Sequence, residues 1–258
     1  KVENINFAII DIGTNSVHLL VGQVDKNGHI STIDNDKSIL RLGLKIDKEG
    51  KLSQDAIDRT VDALGRMKTI ASNYNPIFRV LATHTARVIC NFTELRQAIY
   101  QKVGLEVAVI DGIEEARLVA LGMYEGLSLK NKKFLGIDVG GGSTEIVICY
   151  NGAVEYATSL PIGSVVLNSK FLLSEELSVK KGISALEKYL AMQIAPLASD
   201  IRRHSFEVAV ISSGAAKTLA YMQFFKVNRN ILEDPNGYIL KSEEINLLYE
   251  KMKKLRKP

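Results

Sequence analysis

The sequence predicts an α/β protein made of two similar domains, and three observations lead there. Stretches with strand and helix patterning alternate along all 258 residues. "FAIIDIGTNSVHLLVGQV" from Phe7 lies over "FLGIDVGGGSTEIVICYN" from Phe134, an offset of 127 residues. Both copies run strand, aspartate, apolar residue, glycine, small polar turn, strand, so the aspartate and glycine keep register. A repeat at half the chain length points to two like domains facing each other.

Taken in order, 6–11 reads as a strand and 18–24 as its hairpin partner. Residues 30–43 read as a further strand entering a loop. Apolar residues at helical spacing over 53–72 predict a helix with Ser53 as N-cap. A strand follows at 78–83, then a helix at 91–104 that ends on Gly104, and a strand at 105–110. The next helix spans 113–127. Residues 133–139 and 144–150 form the second glycine-linked hairpin, continued by a strand at 153–158. Residues 178–204 are helical, with a kink or break expected at Pro196. A strand at 206–213, a helix at 215–225 and an amphipathic helix at 241–255 complete the chain.

Apolar residues make up 46% and charged residues 24%, enough for a real core. No apolar run reaches the ~18 residues of a membrane span, and "KVENINFAII" lacks the pattern of a cleavable signal. Cys90 and Cys149 share no CxxC spacing, so a disulfide framework is not expected and a cytoplasmic setting is. The net charge of +4 misleads, because "KMKKLRKP" at the end holds five of the basic residues. The remainder is nearly neutral, which argues against a nucleic-acid partner.

The two glycine turns carry the chemistry. A hairpin turn rich in Gly, Ser and Thr presents several backbone N–H groups, and such a concave set of donors holds phosphate oxygens. Hydroxyls of Ser16, Ser143 and Thr144 add donors. Asp11 and Asp138 sit at strand ends beside the turns. A carboxylate there repels phosphate unless a divalent cation lies between them, and Mg²⁺ is the usual solution. One such turn taken alone reads better as a hairpin with a capping aspartate; two in register weaken that reading. No GxxxxGKS/T loop occurs.

"DIGTNSVHLLV" (11–21), "RLG" (41–43), "ATHTAR" (82–87), "GIEEARL" (112–118), "DVGGGSTE" (138–145), "LPIGSV" (160–165), "SSGAAKTLA" (212–220) and "NGYIL" (236–240) occur in that order. On these the chain resembles the exopolyphosphatase / guanosine pentaphosphate phosphatase family, within the actin, sugar kinase and heat-shock chaperone ATPase superfamily. "DVGGGSTE" is loose across the superfamily, whereas "EEAR" ahead of it is far more specific. The chain departs from the pattern at Asp111-Gly112, where Ser-Gly is common, and at Thr14, a mild change from the usual Ser.

The resemblance implies two actin-like (ribonuclease H-like) domains flanking a central cleft, spanning 1–122 and 123–258. It also implies that the second continues past "NGYIL" into an Arg-Ala-Asp segment, so this chain is expected to be truncated at its end. The implied reaction is Mg²⁺-dependent hydrolysis (or with another divalent cation) of the terminal phosphoanhydride of inorganic polyphosphate or guanosine pentaphosphate. Glu115 is the implied general base, being the second glutamate of its pair; without the resemblance, both acids read better as first-turn residues favoured by the helix dipole. Glu145 is the second catalytic candidate and, with Asp11 and Asp138, a metal ligand.

Phosphate is expected on Gly13, Thr14, Asn15, Ser16, Gly140, Gly141, Gly142, Ser143 and Thr144. Arg87 and then Arg41 are candidate clamps, and Lys217 is a candidate contact in a loop that resembles one approaching the nucleotide in related ATPases. His84, His18 and Cys149 read as structural. A cytoplasmic enzyme with no membrane partner, able to form a homodimer, is expected. A kinase of the superfamily would need a catalytic aspartate with no match here. A phosphate or nucleotide sensor without turnover is the alternative of a different class.

Overall fold

The computed structural model of the chain describes residues 4–172 and 179–254. The first sheet grows from an antiparallel meander, β1 (Ile5–Ile12), β2 (Ser16–Val24) and β3 (Ile30–Ile39). A 3-10 turn at Leu42–Leu44 leads to α1 (Gln54–Ser72), where Ser53 caps the helix by accepting the Ala56 N–H at 3.3 Å. Next come β4 (Ile77–Ala82), a short α2 (His84–Val88), α3 (Phe92–Val103) and β5 (Val107–Val109). Gly104 ends α3 at φ 69°, a left-handed conformation that glycine adopts freely. β4 lies parallel to β1 and β5 parallel to β4, giving the order β3-β2-β1-β4-β5.

Side chains alternate across a strand, so every second residue of β1 and β2 enters one core. Ala8, Ile10, Ile12, Val17, Leu19 and Val21 are buried with Ile57, Val61, Leu64 and Met67 of α1 and Leu95, Ile99 and Val103 of α3. Each fully buried aliphatic side chain contributes ~1.5–3 kcal/mol.

The remainder begins with α4 (Gly112–Gly126) and the meander β6 (Lys133–Val139), β7 (Thr144–Tyr150) and β8 (Ala153–Leu160). α5 (Ser164–Leu167), a π-helical turn at Asn168–Leu172, α6 (Val179–Arg203), β9 (Val208–Ser212), α7 (Gly214–Asn228) and α8 (Ser242–Lys254) follow. The sheet order is β8-β7-β6-β9, with β9 parallel to β6.

Strand for strand, β1, β2, β3 and β4 correspond to β6, β7, β8 and β9. Asp11 pairs with His18 across the first hairpin, and Asp138 with Glu145 across the second, at the same offset of 127 residues. The repeat read from the sequence is therefore a repeat of topology and register. The chain divides into two compact units, 1–112 and 113–258, ten residues before the expected boundary. α4 falls in the second because Ala116, Ala120 and Met123 pack with Phe134, Val147 and Cys149.

Of the kink or break expected at Pro196, the break does not occur, since α6 runs through it. The expected helix start at 178 and end at 255 lie outside the described residues. Among the described residues no helix is long and apolar enough to cross a membrane.

Candidate active site

Both hairpin turns are closed by the same bond. Gly13 N–H donates to Ser16 O at 3.1 Å, and Gly140 N–H to Ser143 O at 3.0 Å. A Cβ on Gly140 would stand 3.0 Å from Ser143 O, so the turn is too tight for a side chain there. The segment after the third strand then takes the turn's carbonyls. In the first unit Leu40 and Arg41 N–H donate to Asn15 O at 3.1 and 2.8 Å, and Gly43 N–H to Thr14 O at 3.1 Å. In the second, Ser164, Val165 and Gly163 N–H donate to the oxygens of Gly140, Gly141 and Gly142 at 2.9, 2.9 and 3.1 Å.

C=O and N–H point in opposite directions across a trans peptide, and no cis peptide is present among the described residues. Turning the carbonyls of Gly140 and Gly141 toward 163–165 therefore aims the N–H groups of Gly141 and Gly142 the other way. Neither has an acceptor among the described residues. They are the free donors an anion needs.

The hydroxyls are mostly committed elsewhere. Thr85 Oγ1 donates to Thr14 Oγ1 at 2.9 Å, both buried. Ser16 Oγ bonds His18 Nε2 at 2.7 Å. Thr144 Oγ1 donates to Ile162 O at 3.0 Å, and the Ser143 side chain is buried beside Glu145. The Thr14, Ser16 and Thr144 side chains brace the turns, which leaves main-chain N–H groups as the donors available to a ligand.

Three acids gather in the second unit. Glu145, directly across β6–β7 from Asp138, is 1% exposed. Burial pushes its carboxyl up to about 7, the Glu115 charge adds to that, and hydrogen bonds from Ser159 and Ser143 oppose it. Ser159 Oγ donates to Glu145 Oε1 at 2.7 Å, while Oε2 is buried with no hydrogen-bond partner among the described residues. Burial likewise raises Asp138, against a hydrogen bond from Ser212 Oγ.

Glu115 is thus the member of the α4 pair whose charge reaches Glu145. Glu114 is held instead by Arg117, which donates to its Oε2 and Oε1 from Nε and Nη2, both at 2.7 Å, on the exposed side of the helix. Among the described residues no three or more His, Cys, Asp or Glu side chains form a ready-made metal centre.

Asp11 ends β1 in the first unit, as Asp138 ends β6 in the second. Arg87 Nη1 donates to Ile110 O at 2.8 Å, a tie between α2 and the end of β5. Arg41 is exposed at φ 52°, its N–H committed to Asn15. His84 is half-buried, and burial followed by the Arg87 charge lowers its pKa. Lys217 is exposed in the first turn of α7, and Cys149 is buried, as expected. Ser159, Ser212, Gly163 and Thr85 were not singled out in the sequence. Only strand register could have pointed to Ser159, the direct partner of Glu145 across β7–β8.

The model of the Ppx/GppA phosphatase family matches residues 20–257. Among solved structures, the chain is similar to an exopolyphosphatase from Cytophaga hutchinsonii, at 26% identity and a TM-score of 0.86, covering 96% of this chain and 80% of that one. It is also similar to the Aquifex aeolicus member of the Ppx/GppA protein family, at 27% identity and a TM-score of 0.78, covering 98% and 80%.

Proposed function

Because the chain belongs to the Ppx/GppA phosphatase family, we propose that it is an exopolyphosphatase that hydrolyses the terminal phosphoanhydride of inorganic polyphosphate with a divalent cation. One observation carries this: Glu115 acts electrostatically on a buried Glu145 with one open oxygen, beside a turn with two free N–H donors. Polyphosphate is preferred over guanosine pentaphosphate on the likeness to the Cytophaga exopolyphosphatase.

Cleaving a phosphoanhydride needs the phosphate held, its charge offset and a water aimed in line. The Gly141 and Gly142 N–H groups hold terminal oxygens. Glu115 accepts a proton from the attacking water, since Glu114 is engaged with Arg117. Mg²⁺ or another divalent cation, when bound, would offset phosphate charge. Asp138 and Glu145 fit it, because Glu145 Oε2 is a buried acceptor that lacks a donor and Mg²⁺ asks for only one or two carboxylates plus waters.

Glu115→Gln keeps size and removes the base, so kcat should fall by ~10²–10⁴ with affinity held. Glu114→Gln alters the same helix end and breaks the exposed pair with Arg117, so it should spare turnover. Equal losses in the two variants, or a change in melting alone, would remove Glu115 from the role of base.

A further inference from the structure

We propose that Ser159 is a positioning residue for Glu145, tying up one carboxylate oxygen so that the other is presented singly to the divalent cation or the water it orients. The inference rests on the reading of Glu145 given above.

The argument is geometric. β7 and β8 are antiparallel, and Glu145 and Ser159 are direct cross-strand partners in their register. Opposed residues of an antiparallel pair put their side chains on the same face, within reach of each other. Ser159 Oγ donates to Glu145 Oε1 at 2.7 Å, a short charge-assisted length. The other oxygen, Oε2, is buried without a partner among the described residues.

A carboxylate with both oxygens open has two ways to present itself. One held at Oε1 has a single presentation, and the Glu145 side chain cannot rotate without breaking the bond. Ser159 sits on a strand, where its own backbone is fixed by pairing along Thr144–Leu160. Its hydroxyl is therefore a rigid anchor. Asp138 has a corresponding anchor in Ser212, from the strand on the opposite side of β6. Each proposed carboxylate ligand is thus held by a serine on a flanking strand.

Hydrogen-bond partners of metal-binding carboxylates typically matter by ~10–100-fold in affinity or activity. Ser159→Ala should therefore weaken Mn²⁺ binding, read by calorimetry on the substrate-free protein, by ~10-fold or more and lower kcat to a like degree. Ser159→Thr keeps the hydroxyl and suits a strand, so it should restore both to within ~3-fold of wild type. A packing role alone would lower the melting temperature and leave Mn²⁺ affinity unchanged. Wild-type Mn²⁺ affinity in Ser159→Ala, or no rescue by Ser159→Thr, would overturn the inference. Glu145→Gln is measured beside them. If it loses Mn²⁺ binding while Ser159→Ala does not, only the positioning role falls. If Glu145→Gln binds Mn²⁺ normally, the assignment of Glu145 falls and this inference with it.

Discussion

Glu145 concentrates the residue-scale physics, because a carboxyl that is 1% exposed has lost its hydration. Its pKa is raised from 4.5 to about 7 in the folded chain. For an acid with a raised folded pKa, the native state holds a proton that the unfolded state has released. Stability from this group therefore falls as pH rises from about 4.5 to about 7 and is lowest above that. At ~1.4 kcal/mol per unit the cost is on the order of 3 kcal/mol. In EDTA, urea unfolding should show Glu145→Gln more stable than wild type at pH 8 and nearly equal at pH 4. Wild-type stability that does not fall between those pH values, relative to the variant, would contradict this. Ser213 makes a second residue-scale case. It sits at φ 101°, ψ 173° before α7, in a region nearly reserved for glycine. Ser213→Gly relieves ~1–3 kcal/mol of strain and loses only a few tenths of cap energy. Its urea midpoint should rise; a lower midpoint would mean that the cap to Ala215 N–H outweighs the strain. Glu145 was legible in "DVGGGSTE", because the motif is local. Ser159 was not, because it lies fourteen residues on and only pairing brings it back.

Among the elements, the active turn depends on a second segment that holds it. A Cβ on Gly163 would lie 2.3 Å from both Gly141 C and Gly142 N, which are backbone atoms that cannot swing aside. Gly163→Ala must therefore displace the turn whose N–H groups we assign to phosphate. Displacement by ~1 Å is enough to cost ~10²-fold in rate. Kinetics with circular dichroism should show that loss in a folded protein; full activity would mean the turn does not hold the phosphate. The elements themselves were mostly readable. The 133–139 and 144–150 strands and the Ser53 and Gly104 ends follow from apolar runs on either side of a glycine turn, a capping hydroxyl and a left-handed glycine. α2 was not expected. His84–Val88 has no apolar periodicity, and tertiary bonds hold it: Thr85 to Thr14, and Arg87 to Ile110. Pro196 was read as a kink or break because its ring and missing N–H cost ~3 kcal/mol in a helix interior. α6 nonetheless runs on through it.

For the whole molecule, the repeat is the fact that organises the rest. Two sheets share strand order, hairpin register and turn closure, yet Glu145 of the second matches His18 of the first. On our reading the carboxylate chemistry sits on one copy, where β7 is buried from Thr144 to Cys149 and can keep a carboxyl from water. The near-neutral charge outside the final eight residues means that a polyanion has to be met by local donors rather than by a general basic field. The measurement that tests the central claim most directly is orthophosphate release from long-chain inorganic polyphosphate, in Mg²⁺ and in EDTA, beside guanosine pentaphosphate at equal concentration. The account predicts steady release from polyphosphate in Mg²⁺, a lower kcat/KM on guanosine pentaphosphate, and loss of both in EDTA. No release from polyphosphate in Mg²⁺, or release undiminished in EDTA, would contradict it.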